Sequence, residues 1–118
     1  FQEMKTTAIA QKCAHSRPDL FGAGEVWKMA TENAYKAFRL DLGLRAGAMA
    51  DLSLIDLKKP WFSPLADDNV VSHLVYSAQG GVDTTIVGGK VLMKGGLIPG
   101  EEEILDRAQE QFEDLAAR

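Results

Sequence analysis

Three glycine pairs constrain this chain more than any other feature: Gly80-Gly81, Gly88-Gly89 and Gly95-Gly96 punctuate residues 80–96 at nearly even spacing. Tight primed turns need φ > 0 at their central positions, which costs glycine nothing, and such turns join antiparallel strands. The segments beside Gly88-Gly89 are β-rich, Val82 to Val87 before it and Lys90 to Lys94 after it. A hairpin follows. Its two-residue turn predicts a register with Val87 opposite Lys90, Ile86 opposite Val91 and Thr84 opposite Met93. Thr84, Ile86, Val91 and Met93 then share one face. On the other, Asp83 stands opposite Lys94 as a charge pair worth about 0.2–1 kcal/mol. Gly95-Gly96 makes a further turn into a short final strand at Leu97-Ile98.

Upstream the apolar period is helical. Phe1, Met4, Ala8 and Ile9 form one face of a helix that runs to about His15 and stops before Arg17-Pro18, because the residue preceding proline disfavours the α region. A second helix, about Glu25 to Arg39, sets Val26, Ala30, Ala34, Ala37 and Phe38 on a stripe. Glu32 and Lys36 have i,i+4 spacing, and Gly22-Ala23-Gly24 stands where a Ser or Thr cap is expected. Leu52 and Leu54 alternate with polar residues within Ala50 to Leu57, as in a half-buried strand ended by Lys58-Lys59-Pro60. Trp61 to Asn69 reads as loop, and Val70 to Ala78 as a short helix. Pro99-Gly100 introduces a last helix, Glu101 to about Ala117, with three glutamates in its first turn and Arg118 at its end, matching the macrodipole. Its stripe is Ile104, Leu105, Ala108, Phe112, Leu115 and Ala116.

With 118 residues, 46% hydrophobic and 25% charged, the chain reads as one soluble domain. It is far short of a (β/α)₈ barrel, which takes roughly 250 residues. A net charge of -4 and a pI near 5.1, with scattered basic residues, argue against nucleic acid and anionic membrane as partners. The apolar runs are too short for a membrane span or a signal peptide, so the cytoplasm is the expected location. The sequence opens at Phe1 on a helix already under way, and the expectation is that it begins inside a larger protein.

The search for chemistry returns no site residue: no catalytic, cofactor-binding or metal-binding position is assigned. His15 and His73 are the only histidines, and neither has a His or Cys partner at ligand spacing. Cys13, the only cysteine, is expected to be a buried small hydrophobe, and His15 two residues on points away from it in a helix. Ser16, Ser53, Ser63, Ser72 and Ser77 lack a nucleophile elbow. Asp67-Asp68 reads as a cap for the following helix rather than an acid/base pair. The glycines follow no phosphate-cradling order.

The order of segments nevertheless resembles a family. Trp27-Lys28-Met29-Ala30-Thr31-Glu32-Asn33-Ala34 is similar to the helix that closes the barrel in metal-dependent amidohydrolases of the chlorohydrolase and nucleoside-deaminase group. Ala50-Asp51-Leu52-Ser53-Leu54-Ile55-Asp56-Leu57 resembles that family's return into its small β-sandwich. Leu74-Val75-Tyr76-Ser77-Ala78 and Val82 through Met93 are similar to the segment that ends these enzymes. The stretch around Gly43 and Gly47 is shorter than the family's, and Ala48-Met49 replaces its lysine-containing pair.

The resemblance implies an α+β chain: helices from the end of a TIM-type barrel (1–42), then the C-terminal part of a β-sandwich with its antiparallel hairpin and a closing helix (43–118). Full-length relatives are expected to hold one divalent metal, zinc or iron, which activates a water toward a ring carbon bearing an amine or halide. Their His-x-His and other ligands have no match here, so no cofactor is expected in this chain. The implied function is a scaffolding C-terminal fragment of a hydrolase acting on C–N or C–halide bonds of aminopurine or nucleoside-like substrates, inactive by itself. A free-standing, non-catalytic association domain is the alternative. The implied partners are the missing N-terminal part of such an enzyme or another copy of the chain, because unpaired hairpin edges favour homo-oligomers.

Overall fold

The computed structural model describes residues 1–41 and 43–117. Leu42, the expected end of the first segment, and Arg118, the expected cation at the last helix end, lie outside them. Helix and strand are mixed along the chain: α1 (Gln2–His15), α2 (Ala23–Lys28), a π-helical turn (Met29–Asn33), α3 (Ala34–Phe38), β1 (Leu52–Ile55), a 3₁₀ turn (Pro60–Phe62), α4 (Val70–Tyr76), β2 (Val82–Val87), β3 (Lys90–Met93) and α5 (Glu101–Ala116).

Helix α1 ends as its sequence dictates. Ser16 turns left-handed at φ 51°, its N–H donates to the Cys13 carbonyl, and the Arg17 N–H reaches back to Lys12. That paired closure satisfies carbonyls that a helix end otherwise leaves open. Helix α2 starts on Gly22, whose N–H donates to the Glu25 carboxylate at 3.0 Å. Glycine has no side chain to return the contact, so only half of a capping box forms.

The expected second helix is continuous in path but not in pitch. Thr31 Oγ1 donates to the Trp27 carbonyl at 2.7 Å, competing with the backbone N–H for that acceptor, and the chain widens to a π turn at Met29–Asn33. The extra residue rotates everything beyond it. Val26 stays buried, whereas Ala30, Ala37 and Phe38 of the expected stripe are exposed, Phe38 at 75%. Among the described residues no ion pair joins Glu32 and Lys36.

The helical core centres on Ala8, Val26 and Val75, with Met4, Phe21, Trp27, Val71 and Tyr76 packed around them. Ile9, expected on the buried face of α1, is 45% exposed. Lys12 Nζ donates to Tyr76 Oη at 3.0 Å and also sits 5.3 Å from that ring's centre, tying α1 to α4. Through Val75 the core draws on residues from both sides of position 42.

The sheet runs β1-β2-β3, antiparallel throughout. The turn at Gly88 (φ 56°) and Gly89 (φ 77°) has both positive angles, and Val87 pairs with Lys90 and Ile86 with Val91 as expected. Beyond that the register slips by one: Met93 pairs with Thr85, not Thr84. A second irregularity between Leu54 and Ile55 leaves Asp83 unpaired with β1. Asp83 therefore does not meet Lys94. Its carboxylate accepts from Thr84 Oγ1 at 2.7 Å and its carbonyl from the Gly96 N–H at 2.9 Å. The final strand at Leu97-Ile98 reduces to a single bridge between Lys94 and Leu97.

Helix α5 is formed as expected, but every described residue in it is exposed, including Ile104, Leu105, Phe112 and Leu115 at 61–67%.

Candidate functional site

The two histidines are held by different elements. His15 is exposed at the end of α1. His73, on α4, is half-buried, with its Nε2 at 3.0 Å from the Pro64 carbonyl and its ring edge-on to Phe62, 6.2 Å between centroids. A carbonyl only accepts, so this contact requires the proton on Nε2 and removes that nitrogen as a ligand. Cys13 is exposed rather than buried: it falls on the outer side of α1, one residue past the contact made by Lys12. Among the described residues no three His, Cys, Asp or Glu side chains cluster as a metal would need.

Asp67 and Asp68 are exposed and do not cap α4. Asn69 occupies the cap position, and its side chain turns back into the preceding loop. Its Oδ1 accepts from the Ala66 N–H at 2.9 Å and its Nδ2 donates to the Pro64 carbonyl at 3.0 Å. Asn69 and His73 thus hold one carbonyl from successive turns of the same helix. The expected loop from Trp61 also contains Phe62, 1% exposed, which lies beside Gly81 and His73. Its burial was not legible from periodicity because a three-residue 3₁₀ turn has none.

Asp51 was also missed. Its Oδ1 accepts from the Gly88 N–H at 2.6 Å while the Ala50 carbonyl accepts from Gly89 at 3.0 Å, so the start of β1 clamps the hairpin turn. Asp56 marks the other end of β1. Its carboxylate accepts from the Lys58 N–H at 2.9 Å and pairs with Lys59 at 3.1 Å, and these contacts, the backbone one foremost, hold its pKa below the ordinary carboxylate value. Arg17 and Asp19 form an exposed ion pair that lowers the Asp19 pKa and raises that of Arg17. The contacts of Asp51 and Asn69 and the Asp56–Lys58 bond fix backbone, whereas Arg17–Asp19 and Asp56–Lys59 are side-chain ion pairs.

One surface depression of about 240 Å³ is lined by Asp56, Lys59, Trp61, Gly81, Val82, Asp83, Gly95 and Gly96, so it holds two carboxylates and no imidazole. One groove of about 430 Å³ is lined by Phe1, Gln2, Lys5, Ala78, Gln79 and Gly80, and another of about 280 Å³ by Val91 through Lys94 and Leu97 through Pro99. Neither lining contains a carboxylate or an imidazole.

Comparison with known proteins supplies what the geometry lacks. The model of the Amidohydrolase family matches residues 1–92. A 5'-deoxyadenosine deaminase of Methanothrix thermoacetophila is 53% identical over 115 residues, which cover 98% of this chain and 27% of that protein. A 5-methylthioadenosine/S-adenosylhomocysteine deaminase of Archaeoglobus fulgidus is 43% identical, covering 92% of the chain and 26% of its own length. Among solved structures, an adenosine deaminase from Xanthomonas campestris with bound zinc superimposes with a TM-score of 0.82 at 27% identity, over 96% of this chain and 26% of that one. The chain therefore spans about a quarter of the length of these relatives.

Proposed function

This chain belongs to the amidohydrolase family, and from that premise we propose that it is the C-terminal scaffolding part of a metal-dependent, cytoplasmic deaminase acting on 5'-deoxyadenosine-type nucleosides. The observation that carries the reading is the 53% identity to the Methanothrix deaminase across almost the whole chain. In this reading residues 1–42 are outer helices at the end of the barrel, and 43–118 are the C-terminal part of the β-sandwich domain with its closing helix. The fold is consistent with such a role. Val26, Ala8 and Val75 join the two regions in one core, and Asp51, Asp56 and Asn69 spend their polar groups on backbone.

The zinc of the Xanthomonas relative finds no fitting donor set among the described residues here. His73 Nε2 is engaged by Pro64, and His15 stands exposed on another helix. A divalent metal, zinc or iron, is accordingly assigned to residues supplied by the remainder of the enzyme, and no step is derived through it.

The test is substitution. These 118 residues replace the matching segment of the Methanothrix deaminase, and release of ammonia from 5'-deoxyadenosine is followed. Retained turnover is the expected result. A chimera that folds and keeps its metal but turns over no deoxyadenosine, adenosine or methylthioadenosine contradicts the proposal. A second reading, that the chain acts as a free-standing association domain, is favoured by one observation, the uncovered apolar face of α5.

A further inference from the structure

A long excursion of the chain links the sheet to the helical core. β1 ends at Ile55 and β2 begins at Val82, and these two residues pair across the ladder. The Asp56 N–H then donates to the Gly81 carbonyl at 2.9 Å, so the chain between them leaves and returns at one point of the sheet. α4 lies on this excursion, and its Val75 packs against Ala8 and Val26. We propose that residues 57–80 are a docking arm: the sheet holds its base, α4 latches it to α1 and α2, and arm and helices open as one cooperative unit apart from the β2–β3 hairpin.

The arm is braced along its length. At the base the Asp56 carboxylate accepts from the Lys58 N–H and pairs with the Lys59 ammonium, which turns the chain out of β1. Phe62 comes next. It is 1% exposed, its Cε2 stands 3.7 Å from where a Cβ on Gly81 would be, and its ring is edge-on to those of Trp61 and His73. One buried ring therefore meets both the base of the arm and α4. Further out, Asn69 and His73 converge on the Pro64 carbonyl and tie α4 to the loop that leads to it.

The latch joins residues distant in sequence. Val75 is 1% exposed, Val71 and Tyr76 pack at the border of the same core, and Lys12 Nζ donates to Tyr76 Oη at 3.0 Å across 64 residues. Elements that bury apolar side chains in one core gain or lose that burial together. The hairpin has separate support: β3 pairs with β2, and the Asp51 carboxylate holds its turn at Gly88. The boundary between the two units falls at Phe62 and Gly81.

The inference does not rest on the deaminase reading, and its test follows amide hydrogen exchange rather than turnover. In the full 118-residue chain α1, α2 and α4 are expected to share one level of protection. Val75→Ala lowers it in all three by about tenfold or more, α1 included. Tyr76→Phe keeps the ring and removes only the hydroxyl, and lowers protection in the same three helices by about two- to tenfold. In both variants the β2–β3 amides change by less than about twofold. Phe62→Leu withdraws the ring from both neighbours and lowers protection of the Asp56 and His73 N–H groups together. Loss of protection in α4 without loss in α1 overturns the proposal, because the latch then does not hold. So does an equal loss in the hairpin, a Phe62→Leu effect confined to one of the two N–H groups, or an unsubstituted chain whose α4 amides are unprotected.

Discussion

At the scale of single residues the chain divides into a small set of buried anchors and a larger set that fixes turns. Val26 is 1% exposed between α1 and α4, so Val26→Ala should destabilise the fold by about 1.5–3 kcal/mol in denaturant titration. Ser16 holds a left-handed angle that suits glycine better, and Ser16→Gly should stabilise by about 0.5–1 kcal/mol in the same measurement. Asp56 accepts hydrogen bonds as a carboxylate, so its pKa in the folded state lies below the unfolded value near 3.9. Its contribution is therefore fully present above that unfolded value and is lost as pH falls through the depressed folded one. A carbon-detected NMR titration should find Asp56 titrating below the unfolded aspartate value, and Lys58→Pro, which removes the backbone donor, should bring it up toward that value. Few of these roles were legible in the sequence. Asp51 and Asn69 announce themselves only as polar residues near turns; which N–H group each accepts from depends on chain partners 37 and 3 residues away.

Elements were more legible than residues, and the misses have local causes. The glycine pairs specified the hairpin and its first two cross-strand partners because positive φ at Gly88 and Gly89 leaves few turns available. Replacing Gly89 (φ 77°) by valine should cost about 1–3 kcal/mol and broaden the β2–β3 amide signals, whereas Gly88→Asn should cost much less. The slip between Thr85 and Ile86 was not visible, because a bulge leaves no mark when the flanking residues are all β-formers. The π turn at Met29–Asn33 broke the period of the second helix in the same way: Val26 is buried, whereas Ala30 within the turn and Ala37 and Phe38 beyond it are exposed. In α5 the period was read correctly, yet period reports amphipathicity, not what the apolar face touches. Sixteen residues are few for an isolated helix in water.

For the molecule as a whole, family membership was legible from the order of four segments, each weak alone, and the matched residues 1–92 bear it out. The mixed helix and strand architecture follows from the same reading. Among the described residues the donors Cys13 and His15 lie on α1 and His73 on α4, where its Nε2 meets the Pro64 carbonyl. No helix among the described residues is long and apolar enough to cross a membrane. The account depends on this chain shaping an enzyme whose reactive metal is held elsewhere. Metal content by inductively coupled plasma mass spectrometry, read beside ammonia release from 5'-deoxyadenosine, tests that claim on the purified 118-residue chain. Far less than one zinc or iron per chain and no ammonia is the predicted result. One tightly held metal per chain, with turnover, contradicts it.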